Sequence, residues 1–286
     1  MPELPEVETI VRQLQRQIVG KIITKVEILR TDQWKLNQPE AVQQALKNQR
    51  IREVNRRAKF ILIDMASGCQ LIIHLRMTGK LIWSPGKPFI DKFSRTIFYF
   101  TDGSSLQFND TRALGSLIFL NCGEEYPSLR KLGVEPLSDD WKLEELNSIC
   151  QRSTLTMKDF LMDQNKIAGI GNIYANEILF RSGIHPQRRA NTLSDDEIEK
   201  LYVIIPKILE LAIEKMGTTL GNKVSDYRSV YNIEGEFQNV LTVYGREGQP
   251  CLKCGAPIIR IKQKDRSSYI CDNCQKLDRN SSPSHS

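Results

Sequence analysis

Apolar residues first recur at helical spacing over residues 5–18, where Val7, Ile10, Val11, Leu14 and Ile18 share one face. Pro5 suits a first helical turn, Glu6 and Glu8 suit the positive end of its dipole, and Gly20 is a stop signal. From about residue 22 to 120 the period shortens. Segments 22–29, 60–63, 71–75, 80–83, 96–100, 105–108 and 116–120 read as strands, and residues 35–49 as a helix between them. Asp102-Gly103 is a hairpin turn signal. Many short strands with turn punctuation predict a β-sandwich or barrel.

Around 132–140, Leu-Gly-Val-Glu-Pro-Leu-Ser-Asp-Asp holds turn formers and reads as a connection between domains. Helical patterns dominate beyond it, over 142–150, 156–163, 173–182 and 195–215. A long double turn, residues 164–172, separates the second from the third. Residues 217–240 lack periodicity and are expected to form a flexible loop. Residues 277–286 are polar and read as a disordered tail.

The 286 residues are 40% hydrophobic and 26% charged, which excludes collagen-like, disordered and disulfide-dense classes. No apolar run approaches about 18 residues, so no membrane span is expected. The opening residues are acidic and read as no signal peptide, and a cytoplasmic protein is expected, nucleoid-associated if bacterial. Net charge is a modest +6, but its location is uneven. Residues 244–276 carry seven basic side chains against three acidic ones. Charge alone fits a solvated basic face.

Seven cysteines and no export signal argue against disulfides. Cys69, Cys122 and Cys150 are scattered and read as buried thiols. Cys251-x-x-Cys254 and Cys271-x-x-Cys274 form two short-spaced pairs, the pattern of a tetrahedral zinc site on a hairpin. Four thiolates fill the coordination sphere, so the metal is structural. An iron–sulfur cluster competes, but the spacing favours zinc. Between the pairs, Arg260, Lys262, Lys264 and Arg266 alternate and would line one side of an extended strand. A zinc-held hairpin with such a face suits phosphate contacts, and a lysine-protected edge strand is the plainer alternative. Gly169-Ile170-Gly171-Asn172 before a helix start presents backbone N–H groups that favour a phosphate.

The N-terminus adds a third feature. Initiator methionine is usually removed before proline, and Pro2 would then expose a secondary amine. Terminal amines titrate near 7.7–8.0, so a substantial fraction is nucleophilic at neutral pH. Such an amine can form an iminium with an aldehyde-like carbon such as a deoxyribose C1′. Glu3 beside it is a candidate general acid–base. The plainer alternative makes both residues punctuation at a helix start.

Met-Pro-Glu-Leu-Pro-Glu-Val-Glu-Thr at 1–9 shifts that balance. It resembles the start of formamidopyrimidine-DNA glycosylases, bacterial base-excision enzymes for oxidised purines. Further matches are Arg56-Arg57-Ala58-Lys59, His74-Leu75-Arg76-Met77-Thr78-Gly79 and Leu132-Gly133-Val134-Glu135-Pro136-Leu137. Asp163-Gln164, residues 167–175, Gly217-Thr218-Thr219-Leu220, residues 243–248, the four cysteines and Gln275 complete it. Leu4 points to the oxidised-purine branch rather than to endonuclease VIII.

The resemblance implies an α+β fold: an N-terminal helix plus β-sandwich domain, then a helix–two-turn–helix domain with a C-terminal zinc-finger hairpin. Expected boundaries are 1–135 for the catalytic domain, 136–150 for a linker, 151–240 for the helix–two-turn–helix domain with its lesion loop, 241–276 for the zinc finger and 277–286 for the tail. It further implies a glycosylase and apurinic/apyrimidinic lyase acting on damaged double-stranded DNA by β,δ-elimination, as a monomer with one zinc ion. Pro2 would attack C1′, Glu3 would shuttle protons, and Lys59 would assist base release. Asn172 and Arg266 would grip phosphates, with Lys158 among the DNA contacts. Thr218 and Thr219 would close over the extruded base, which must leave the stack to be reached, and Glu177 would sit under its pocket. Met77, Arg112 and Leu114 match the positions that fill the gap.

Two segments depart from the family pattern. Asn-Asp-Pro-Arg-Arg-Phe-Gly stands here as Asn109-Asp110-Thr111-Arg112-Ala113-Leu114-Gly115, so one arginine and the phenylalanine wedge are absent. Lys-His-Asp-His stands as Lys92-Phe93-Ser94-Arg95. These changes motivate an alternative, a weakened relative that binds damaged DNA without efficient excision; the retained Pro2, Glu3 and Lys59 argue against it. A zinc-ribbon transcription factor would leave the N-terminal domain unexplained.

Overall fold

The helical stripe forms as predicted: α1 (Leu4–Ile18) buries Val7, Ile10, Val11, Leu14 and Ile18. Glu3 is its N-cap and forms a reciprocal capping box with Glu6. The computed structural model describes residues 2–221 and 226–277 of the chain. These fall into two units, 1–130 with 212–238, and 131–211 with 239–286.

In the first unit the strands are β1 (Ile23–Ile28), β2 (Ile51–Arg57), β3 (Phe60–Met65), β4 (Gln70–His74), β5 (Gly79–Ser84), β6 (Ser94–Phe100), β7 (Ser105–Asp110) and β8 (Ser116–Leu120). They pair antiparallel in two four-stranded sheets, ordered β1-β6-β7-β5 and β2-β3-β4-β8. One core cluster includes Leu71, Ile73 and Leu117 from one sheet and Phe98, Leu106 and Phe108 from the other, with the apolar stripe of α1. Asp102-Gly103 is the predicted turn, with Gly103 at φ 83°. β2 was not anticipated, because only Ile51 and Val54 of its seven residues are buried and the rest are polar. α2 (Pro39–Leu46) occupies part of the expected 35–49 helix, and the short α3 (Pro127–Arg130) lies in the segment after β8.

The second unit holds α4 (Leu143–Gln151), α5 (Met157–Met162), α6 (Asn172–Ser182), most of α7 (Asp195–Glu214), and the hairpin β9 (Ile259–Gln263) and β10 (Arg266–Ile270). Residues 136–150 are not simply a linker. α4 buries Leu146 and Cys150 completely, and it packs as part of this unit. Between α5 and α6, the Gln164 amide organises the double turn: Nε2 donates to Met162 O (2.9 Å) and Ile170 O (2.8 Å), and Oε1 accepts from Gly169 N–H (2.9 Å).

Three further expectations need correction. Residues 217–240 were expected as a flexible loop, yet their described part is anchored. Val230 N–H donates to Gln13 Oε1 (3.1 Å), Val230 O accepts from Trp83 N–H (3.0 Å), and Tyr227 and Val230 belong to the sandwich core. This explains why 212–238 groups with the first unit rather than with 151–240. Among the scattered cysteines only Cys150 is buried, Cys69 being half-buried and Cys122 exposed; burial pushes the Cys150 thiol up to about 12. The proposed cationic row does not form, because residues 260–266 are not one strand. The chain reverses at Lys264-Asp265, with Lys264 left-handed at φ 52°. Arg266 then pairs with Gln263, and Lys262 with Ser267. Arg260 and Lys262 share one face of the hairpin and Arg266 lies on the other. The expected tail lies outside the described residues apart from Leu277.

Candidate active site

Pro2 and Glu3 are buried immediately before α1, at the positive end of its dipole. Glu6, one turn on, links this end to the 217–219 segment. Its Oε2 accepts from Glu3 N–H (2.7 Å) and its Oε1 from Thr218 N–H (2.8 Å). The approach is close enough that a Cβ at Gly217 would meet Glu6 Cγ at 2.8 Å, and the glycine sits at φ 81°. Thr219 is fixed next to it: its N–H donates to Gln238 Oε1 (2.9 Å), and its hydroxyl donates to Tyr227 O (2.9 Å) and accepts from Gly235 N–H (2.9 Å). Thus Thr218 and Thr219 are brought to the helix end that carries Pro2 and Glu3. The acidic first turn of α1 suggested only a dipole role for Glu6, so this bridge was missed.

Lys59 follows Ala58, a left-handed residue at φ 52°, in the tight turn between β2 and β3. It is only 7% exposed. The turn is pinned to α1 by Arg56, whose Nε donates to Glu8 Oε2 (2.7 Å) while Nη1 donates to Ala58 O (3.2 Å). Burial raises the Glu8 carboxyl, but Arg56 and Arg12 outweigh it and hold the group below its ordinary value. Nearby His74 pairs with Phe60 across β3 and β4. Burial first, then the cations Arg76 and Lys59, lower its imidazole to about 3. The neutral ring accepts Arg76 N–H at Nδ1 (3.0 Å).

The gap-filling candidates lie on two corners joining the sheets. Met77 is 44% exposed and Leu114 45%, and exposed Arg112 directs Nη1 at Met77 Sδ (3.2 Å).

In the second unit, Arg266, Lys158 and Met162 line a cleft of about 340 Å³ between α5 and the hairpin, together with Asp159, Gln263 and Lys264. Lys158 is 2% exposed and its ammonium donates to Ser267 O and Ser268 Oγ (3.3 Å each), tying α5 to β10. Asn172 opens α6 after Gly171, and its buried Oδ1 has no hydrogen-bond partner among the described residues. Asn176 Oδ1, one turn on, accepts Tyr269 N–H of β10 (2.8 Å). The helix start, α5 and the hairpin are therefore mutually fixed. Glu177 is fully buried, with its oxygens taken by Thr242, Val243 and Tyr244: three backbone N–H donors at 2.9–3.0 Å and the Thr242 hydroxyl. It clamps the chain leading into the cysteine hairpin, a role no sequence pattern signalled.

The four cysteine sulfurs lie within 4.8 Å of one another. Cys251–Cys274 is 3.9 Å and Cys254–Cys271 is 3.4 Å. Tetrahedral Zn–S bonds of about 2.3 Å require sulfurs about 3.8 Å apart, so the set fits zinc. Lys253 N–H points at Cys251 Sγ (3.4 Å), and buried Gln275 ties the second knuckle to Ile184 O (2.9 Å). Cys251, Cys254, Cys271 and Cys274 hold one structural zinc ion.

Three family models match the chain: the formamidopyrimidine-DNA glycosylase N-terminal domain over residues 1–117, its H2TH domain over 132–223, and a zinc finger found in FPG and IleRS over 248–277. The formamidopyrimidine-DNA glycosylase of Pediococcus pentosaceus is 42% identical over 97% of this chain and 100% of its own length. That of Carboxydothermus hydrogenoformans is 42% identical over 96% and 100%. A Lactococcus lactis FPG variant crystallised with Fapy-dG-containing DNA superposes with a TM-score of 0.89, at 32% identity and 96% and 100% coverage. The Lactococcus lactis complex with abasic DNA gives a TM-score of 0.88, also at 32% identity and 96% and 100% coverage. The chain is a member of the formamidopyrimidine-DNA glycosylase family, a DNA glycosylase of base excision repair.

Proposed function

We propose that the protein excises oxidised purines, 8-oxoguanine and formamidopyrimidines, from duplex DNA and then cuts the strand, with Pro2 as the nucleophile. With Met1 removed, the secondary amine adds to C1′ of an extruded nucleotide. The bond from C1′ to the base breaks, and the base leaves with a proton. Loss of the amine proton and protonation of O4′ open the sugar ring and leave an iminium. Removal of a C2′ proton expels the 3′ phosphate, a second elimination expels the 5′ phosphate, and water frees the amine. Glu3 carries the protons at base loss and ring opening. Lys59 supplies positive charge beside the sugar, Asn172 and Arg266 grip the flanking phosphates, and Lys158 holds the hairpin that carries Arg266. Thr218 and Thr219 cover the base. Glu177 braces the segment between α6 and the zinc hairpin.

One observation carries the reading. The Glu6 carboxylate joins the Glu3 backbone to Thr218 N–H, so proton carrier and base cover are tied together at the helix end that follows Pro2. In this proposal the working unit is a monomer, because a single chain carries the amine, the phosphate cations and the zinc hairpin. The zinc ion supplies no reactive chemistry and stabilises the hairpin. The test compares Glu3→Gln on an 8-oxoguanine duplex and on a preformed abasic site. Base excision should fall further than strand cleavage, and equal losses on both would remove Glu3 from the first step. A second reading, damage binding with weak excision, is favoured by Ala113 and Leu114; single-turnover excision on saturating protein separates the two.

A further inference from the structure

Both corners that carry gap-filling side chains share a costly local feature. Arg76, directly before Met77, is left-handed at φ 51°, and Ala113, directly before Leu114, is left-handed at φ 55°. Non-glycine residues hold this conformation only where the surroundings over-determine it. Arg76 N–H is held by His74 Nδ1 (3.0 Å), and the restraint that joins the two corners is Asp110, fully buried at the end of β7 opposite Gly79. Its Oδ1 accepts the Thr78 hydroxyl (2.5 Å) and Arg112 N–H (3.1 Å), and its Oδ2 accepts Gly115 N–H (2.7 Å). Thr78 Oγ1 also receives Arg112 N–H (3.2 Å). Gly115 is required there, because a Cβ would meet Phe108 Cζ at 2.6 Å. Behind it, the buried Arg95 guanidinium grips the Asp110 carbonyl with Nε (2.8 Å) and Nη2 (2.5 Å). Arg95 belongs to the segment that departs from the family pattern.

We propose that Thr78, Asp110 and Arg95 form a positioning clamp that locks the Met77 corner to the Arg112–Leu114 corner, so that the side chains entering the duplex act as one preformed wedge. Folding does not need this rigidity, since Met77 and Leu114 contribute nearly half-exposed surface rather than core. Insertion does need it, because corner residues left disordered must be ordered when the base is expelled. The clamp therefore serves the gap-filling step, not the chemistry at Pro2, and it rests on the function proposed above.

The experiment compares Thr78→Val, Thr78→Ser and Asp110→Asn with the parent in three assays. These are borohydride trapping on single-stranded abasic DNA, single-turnover excision of 8-oxoguanine in duplexes with each opposite base, and fluorescence of 2-aminopurine placed opposite the lesion. Single-stranded DNA has no gap to fill. Thr78→Val should trap single-stranded abasic DNA like the parent. It should lose about tenfold in duplex excision, flatten the opposite-base preference and blunt the 2-aminopurine signal. Thr78→Ser keeps the hydroxyl and should stay within about twofold of the parent. Asp110→Asn should follow Thr78→Val where it folds, and Thr78→Val decides alone where it does not. Equal duplex excision in Thr78→Val and parent overturns the clamp, as does a loss that falls equally on single-stranded trapping. A parent that neither traps abasic DNA nor excises 8-oxoguanine overturns the function reading and the clamp with it.

Discussion

Acid should weaken this protein through His74 in a window set by its burial. The ring packs edge-on against Phe60, with centroids 4.6 Å apart, and it holds the turn before Met77 by accepting Arg76 N–H. Protonation would destroy that acceptor and place a third cation beside Arg76 and Lys59. Burial first, and then those two cations, lower the imidazole from 6.5 to about 3 in the folded chain. The unfolded chain takes up this proton as pH falls through about 6.5, while the folded chain refuses it until far lower pH. The unfolded state therefore binds more protons across that window, and stability rises with pH there. Relative to pH 7, the contribution lost at pH 5 is about 2 kcal/mol, and it depends only on the folded value lying well below 5. His74→Asn is the matching perturbation, because its amide oxygen can accept Arg76 N–H without titrating. Urea unfolding of both proteins at pH 7 and pH 5, followed through tryptophan fluorescence, gives the comparison. His74→Asn should be the less stable protein at pH 7 for loss of ring packing, with the gap closing by about 2 kcal/mol at pH 5. Parallel losses in both proteins, or a His74 ring that titrates near 6.5 by NMR, would refute the reasoning.

Other outcomes follow from the same geometry. Glu177→Gln puts an amide donor against the N–H groups of residues 242–244, and should destabilise the folded chain by about 3 kcal/mol in urea unfolding; an unchanged midpoint would remove the clamp from this segment. Elemental analysis should find one zinc per chain, and Cys251→Ser should loosen the hairpin and weaken DNA binding; pure folded protein without metal, or with iron, would contradict the assignment. Leu114 offers no ring for a base, so Leu114→Phe should gain part of the roughly 1–3 kcal/mol typical of base–aromatic stacking in lesion-duplex binding. Ala113→Arg should steepen the salt dependence of that binding by about one unit of slope. If neither substitution improves binding or excision, the wedge argument is wrong.

What was legible in the sequence followed regular periods and short-range spacing. The stripe of α1, the strand texture with its Asp102-Gly103 turn, and the cysteine pairs all repeat within a few residues. β2 was hidden because two buried residues among polar ones make no pattern. The hairpin turn at Lys264-Asp265 lacks the glycine or asparagine that usually marks a left-handed position, so the basic residues on both sides read as one strand. Glu6 was legible only as an acid in a first helical turn, and Glu177 only as the acid that the resemblance places under the base pocket. Their partners, Thr218 and Thr242, are brought close by the fold rather than by sequence distance. Asp110 and Arg95 were visible as motif positions, but their joint hold on two corners exists only once both sheets have formed.

The central claim is that Pro2 forms the covalent bond, and borohydride trapping on an abasic duplex tests it most directly. The iminium is reducible only while the amine is joined to C1′. Protein with a free Pro2 amine should give a stable adduct whose crosslinked peptide begins at Pro2. The same chain carrying an uncleaved N-terminal extension, which turns that amine into an amide, should give no adduct and no strand cleavage. Efficient trapping or cleavage by the extended chain, or an adduct mapped to Lys59, would contradict the account.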